Sequence, residues 1–146
     1  MKIFGSLLII LTSIVISHIY DKRQKEKILA IKELLEFISF VKIQIEYFSL
    51  PLNTIYTKYN NNSHYVSNLI KEKPLEILDR ETADELTKCI SCLGKGFKKE
   101  QIEYLEYITS FLSKKITDNE SNYQQKTKVF RAISLFVGCC VVILLV

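Results

Sequence analysis

The chain is apolar at both ends, and this limits its fold more than anything else in it. From Ile3 to Ile19 no residue is charged, and Ile, Leu, Val and Phe dominate. As a helix this run would extend roughly 25 Å at about 1.5 Å per residue, short for a bilayer crossing but sufficient. From Ala132 to Val146 the chain is again uncharged and closes on Val141-Val142-Ile143-Leu144-Leu145-Val146. The sequence therefore predicts an N-terminal transmembrane helix over residues 1–20, a helical domain over 21–128, and a C-terminal transmembrane helix over 129–146. Two other readings stay open. Met1 and Lys2 could begin a cleaved signal peptide, although no small-x-small site lies near Ser17-His18-Ile19. The C-terminal run could equally be a buried core helix or a partner-bound tail.

Charge agrees with the membrane reading. Of the 20 basic residues 18 lie between Asp21 and Lys128, with all 16 acidic ones, so the middle is nearly balanced and carries no nucleic-acid stripe. The basic residues that crowd the apolar runs are Lys22, Arg23, Lys25 and Lys27 after the first, and Lys126, Lys128 and Arg131 around the second. Positive charge resists translocation, so the middle domain is expected in the cytoplasm. Cys89, Cys92, Cys139 and Cys140 do not form a secreted disulfide framework, and reduced thiols fit the same compartment.

Between the runs the periodicity is helical throughout, and the fold class is all-α: a small bundle of about five helices flanked by the two spans. Ile28, Ile31, Leu34, Leu35, Ile38, Val41 and Ile45 recur at spacings of three and four. Ser49, Leu50 and Pro51 break this helix, and Pro51 suits the first turn of the next, with Leu52, Ile55, Tyr56 and Tyr59. Asn60 to Ser63 reads as a loop. A short piece with Tyr65, Val66, Leu69 and Ile70 precedes Pro74. A helix entered through Asp79 follows, carrying Ala83, Leu86, Cys89, Ile90 and Leu93 on one face and stopping near Gly94 and Gly96. The last helix begins near Lys98 and bears Ile102, Leu105, Ile108, Phe111, Leu112 and Ile116. Thr117 to Asn122 is polar nearly all round and is expected to leave the core or pack loosely.

The residues offer no catalytic constellation, so no enzymatic activity and no cofactor are expected. Cys89 and Cys92 have the spacing of a metal or redox pair. A zinc site, however, needs four ligands, and the only histidines are His18 and His64. The favoured reading puts both thiols on a buried helix face. Gly94-Lys95-Gly96 lacks the Gly-Lys-Ser or Gly-Lys-Thr that would cradle phosphate and reads as a helix stop. Glu100, Glu103 and Glu106 could hold a cation, but Lys98, Lys99 and Tyr104 among them favour a solvated face. Cys139 and Cys140, beside Gly138, read as small packing residues, with acylation the lesser reading.

An ordered set of short motifs carries a family resemblance. The chain begins Met1-Lys2-Ile3-Phe4-Gly5, has Glu46-Tyr47 followed by Pro51-Leu52, then Leu93-Gly94 and Gln101. It closes on Arg131-Ala132-Ile133-Ser134-Leu135-Phe136-Val137-Gly138. In order and spacing these resemble the stage III sporulation protein AB family along essentially the whole chain. Departures are Lys95-Gly96-Phe97-Lys98 where the family tends to place Ser-Asp, Ile133-Ser134 for its Leu-Gly, and a shorter stretch around Asn60 to Lys73. The resemblance implies a non-enzymatic scaffold of the mother cell–forespore channel complex, required for endospore formation. It also implies a middle domain similar to type II secretion F-type platform domains. The implied location is the mother-cell membrane facing the forespore. Implied partners are the cytoplasmic secretion-type ATPase called stage III sporulation protein AA, other membrane and ring-forming subunits of the complex, and the lipid bilayer, with no nucleic acid. Partner-binding residues are expected at Glu46, Tyr47, Pro51, Leu52, Gly94 and Gln101. For Glu46 and Tyr47 a purely internal role stays open. The alternative function is a generic membrane-anchored helical adaptor or regulator outside sporulation.

Overall fold

The computed structural model describes residues 2–59, 63–71 and 73–145, with the side chains of residues 2–10, 13, 131, 134, 135, 138, 139 and 141–145 outside the description. Among the described residues there are five α-helices and no strand: α1 (Lys2–Ile43), α2 (Leu52–Lys58), α3 (His64–Ile70), α4 (Arg80–Cys92) and α5 (Lys98–Leu145). A π-helical turn, Gln44–Phe48, ends α1. The chain divides into two compact units, one formed by Lys27–Thr117 and the other by Met1–Glu26 with Asp118–Val146.

In the first unit the predicted α1 face is the buried one: Ile28, Ile31, Leu34, Ile38, Val41 and Ile45 all lie in the core. Ala30 and Phe37 join them, fully buried, while Leu35 is only partly covered. Phe37 enters the core because α2 brings two aromatic rings to it. The Tyr59 ring meets it edge-on at 4.9 Å between centroids, and Tyr56 lies 6.1 Å away. Pro51 caps α2, its carbonyl accepting from the Thr54 and Ile55 amides, as its position in the sequence predicts.

Ser63 caps α3 with its hydroxyl oxygen toward the Val66 amide and donates to the Glu33 carboxylate of α1. The loop predicted over Asn60 to Ser63 falls, except for Ser63, outside the described residues. α4 buries Leu86, Cys89, Ile90 and Leu93, and α5 buries Leu105, Ile108, Leu112 and Ile116. Cys92 departs from its expected buried position and is exposed: it lies roughly 60° round α4 from Cys89, outside the arc that Leu86, Cys89, Ile90 and Leu93 bury.

Asp79 caps α4 as expected and also ties it to both long helices. Its carboxylate accepts from the Thr82 hydroxyl at 2.7 Å and pairs with Lys27 of α1 at 3.0 Å and Lys115 of α5 at 3.5 Å; Lys115 also pairs with Glu81. Burial disfavours the Asp79 charge, but the hydrogen bonds from Thr82 and Lys27 and the attraction of Lys27 outweigh it. The carboxyl is held well below the usual carboxylate range. A group whose folded pKa is depressed stabilises the fold above its unfolded pKa and loses that contribution as pH falls toward the folded one. Thermal unfolding followed by circular dichroism should therefore show stability declining as pH drops below about 4. Asp79→Asn, which keeps a capping oxygen, should flatten part of that decline.

In the second unit Tyr20 stacks on Phe130, with centroids 5.8 Å apart and planes 10° from parallel, and the Thr127 hydroxyl donates to the Asp21 carboxylate at 3.3 Å. Leu11, Ile14, Val15, Ile16 and Ile19 on α1 are exposed, as are Val129, Phe130, Ile133, Phe136 and Val137 on α5. The polar stretch from Thr117 to Asn122 straddles the division between units, in line with its expected exit from the core. Among the described residues no helix is long and apolar enough to cross a membrane. The transmembrane helices expected over 1–20 and 129–146 thus find no support there. The rest of both runs lies outside the description.

Candidate functional site

The residues expected to bind partners converge on one corner of the Lys27–Thr117 unit, where α1 gives way to α2 and α4 to α5. At Gln44–Phe48 the helical ladder widens to the π pattern, an uncommon form that recurs at functional sites. Ser49 follows at φ 48°, the one non-glycine residue with positive φ among those described. A left-handed residue with a side chain costs roughly 1–2 kcal/mol, so something must hold it. Lys98 of α5 does so, its ammonium donating to the Glu46 carbonyl and to the Ser49 hydroxyl, both at 2.8 Å. A cation at the carbonyl end of a helix is also favoured by the helix dipole.

The second turn locks to the first by packing. Gly94 ends α4 at φ 79°, and a Cβ there would stand 3.0 Å from Leu52 Cδ1. Gln101 brackets the same turn: its Oε1 accepts from the Gly94 amide at 3.1 Å and its Nε2 donates to the Gly96 carbonyl at 3.0 Å. Gly94→Ala meets both the backbone penalty and the Leu52 methyl, and is expected to lower the unfolding free energy by about 1–2 kcal/mol in urea titrations. Gln101→Ala leaves two backbone groups of the turn without their side-chain partner and carries a folding cost of its own, about 1 kcal/mol.

This geometry sorts the expected residues. Leu52, Gly94 and Gln101 build the corner, Pro51 sets the entry of α2, and Glu46 contributes its backbone carbonyl. Tyr47 faces outward at 72% exposure, which removes the core reading for it. Phe48 and Phe97, at 62% and 78%, are exposed on the two turns that Lys98 ties together. Phe48, Phe97 and Lys98 did not stand out in the sequence. An aromatic next to a helix stop, as in Gly96-Phe97-Lys98, was the available signal, because a large apolar side chain in a polar turn has no local reason to be there.

Little at this corner is chemically reactive. Burial, then the neighbouring Cys92 and Glu85, push the Cys89 thiol up to about 12, and burial followed by Glu85 pushes the Tyr104 phenol to about 12. Both stay protonated at neutral pH, and a thiol so held is inert. A cavity of about 200 Å³ lies between Cys92, Gly96, Gln101 and Tyr104, below the usual size of a small-molecule site. Glu106 pairs with Lys42 at 2.8 Å and Glu103 with Lys99 at 3.9 Å, so these carboxylates of the predicted solvated face are engaged with lysines. Among the described residues no three His, Cys, Asp or Glu side chains gather as a metal site.

No curated protein and no solved structure gives a match to the chain. The sequence profile of the stage III sporulation protein AB family does match, over residues 66–146. That segment holds Gly94, Gln101 and the whole of α4 and α5, while the resemblance drawn from Met1 through Leu52 lies outside it. Covering more than half of the chain, the match places it in a family, and its helices agree with the all-α expectation: the chain belongs to the stage III sporulation protein AB family and acts in stage III of sporulation.

Proposed function

We propose that the chain is a non-enzymatic scaffold in the mother-cell membrane, a component of the secretion-like channel complex between mother cell and forespore. Its two apolar ends anchor it in the bilayer as transmembrane helices. The Lys27–Thr117 unit faces the cytoplasm and docks the stage III sporulation protein AA ATPase through the corner around Tyr47, Phe48 and Phe97. Neighbouring membrane and ring-forming subunits assemble around the same anchors.

The observation that carries this reading is the exposure of three aromatic side chains on a corner held in strained backbone. Aromatic residues dominate binding hot spots, and backbone strain persists where surrounding structure over-determines it, often at functional sites. The anchoring part is supported by the uncharged runs, by the exposed aliphatic side chains of the paired ends, and by the seven basic residues on the inner flanks. A reporter fused after Val146 should be read outside the mother-cell cytoplasm, and one inserted at Asn61 inside it. The reverse orientation, or a chain recovered free of membranes from sporulating cells, would overturn the anchoring.

A further inference from the structure

We propose that the paired ends of α1 and α5 form a collar for the phosphate groups of anionic phospholipids, an inference that rests on the membrane anchoring proposed above. Two contacts set the helices in register: Tyr20 against Phe130 and Thr127 against Asp21. Asp21 and Thr127 are half-buried, so each helix turns this position toward its neighbour. Successive helical residues are about 100° apart, so on α1 Lys22 flanks that contact and Arg23 points away from it, while on α5 Lys126 and Lys128 flank it on either side. Lys25 stands one turn further on, and all five cations are exposed.

Their heights decide what they fit. All five lie within four residues of Asp21 or Thr127, and since the helices run antiparallel they span an axial band of roughly 7–8 Å from Lys25 to Lys128. The headgroup layer of a bilayer is about 5–7 Å thick on each side. Within that band the acidic residue is Asp21, which accepts from Thr127. Glu26 sits at its edge, and Asp118 and Glu120 lie two turns or more below. The apolar side chains Ile16 and Ile19 on one helix, and Ile133 and Phe136 on the other, are exposed immediately beyond it. Cations in a ring, bordered by apolar surface on one side, match lipids whose phosphate is negative and whose chains are hydrocarbon. A basic residue beside an anionic surface strengthens association by roughly fivefold, so five of them give a strong preference for anionic over zwitterionic lipid.

The test is lipid selectivity of the full chain reconstituted in phosphatidylcholine bilayers, read with spin-labelled phosphatidylglycerol and spin-labelled phosphatidylcholine at low and high salt. The expected result is a severalfold preference for phosphatidylglycerol that shrinks in high salt, where screening shortens to a few ångströms. Replacing all five cations by Gln should bring the preference to unity. Replacing the four lysines by Arg should keep it, and circular dichroism checks that both variants are helical. Equal immobilisation of the two labels by the unaltered chain, or a preference that survives the Gln variant, would overturn the collar while leaving the anchoring intact. No immobilised fraction of either label would mean that the chain is not in the bilayer and would overturn both.

Discussion

Phe37→Ala is expected to lower the unfolding free energy by about 3–5 kcal/mol, the largest effect of any single substitution in the Lys27–Thr117 unit. Phe37 is the largest fully buried side chain there, and it is where α2 is fastened to α1. Its ring meets Tyr59 and Tyr56, and Tyr59 also lies 5.2 Å from Phe40. Removing it opens a void that Tyr56 and Tyr59 cannot refill without drawing α2 inward, and α2 is pinned at its start by Pro51 and by Leu52 against Gly94. Chemical unfolding of the full chain in detergent, followed by circular dichroism, measures the effect. Leu35→Ala, one helix face away and only partly buried, should cost less than half as much. A loss below about 1 kcal/mol for Phe37→Ala would mean that α2 is not held by this aromatic cluster.

The second large effect falls on binding and leaves stability nearly unchanged. Tyr47, Phe48 and Phe97 are exposed, so truncating them removes almost nothing from the core. If they are the hot spot for the ATPase, each is worth of the order of 1–2 kcal/mol to the complex, and the triple variant Tyr47→Ala, Phe48→Ala, Phe97→Ala should bind at least about a hundredfold more weakly. Its melting temperature should stay within a degree or two of the unaltered chain. The contrast with Phe37→Ala separates the two roles: one variant unfolds the unit, the other leaves it folded and without a partner. Lys98→Met should fall between them, because losing the ammonium frees Ser49 and the Glu46 carbonyl and lets the turn that carries Tyr47 and Phe48 shift.

The helices were legible in the sequence because apolar spacing of three and four survives wherever one face is buried. Asp79 as a cap and Pro51 at the start of α2 were legible for local reasons, a side chain or ring acting on the next few amides. Phe37 was less legible: three residues after Leu34 and four before Val41, it lies at the edge of the stripe, where the rings of Tyr56 and Tyr59 complete its burial. The π turn and the left-handed Ser49 were hidden: they are strained, and what pays their cost is Lys98, about fifty residues later in the chain. Pro51, Leu52, Gly94 and Gln101 were marked by resemblance, and the structure gathers them into one corner. Cys92 was not legible as exposed because, three residues from the buried Cys89, it falls just outside the arc that continues through Leu93.

Photocrosslinking in sporulating cells tests the docking corner most directly. A photoreactive amino acid in place of Phe97 should join the chain covalently to the stage III sporulation protein AA ATPase. The same group in place of Arg80, exposed at the opposite end of α4, should not. Crosslinks to the ATPase from position 80 and none from position 97 would contradict the proposal that this corner is where the partner docks.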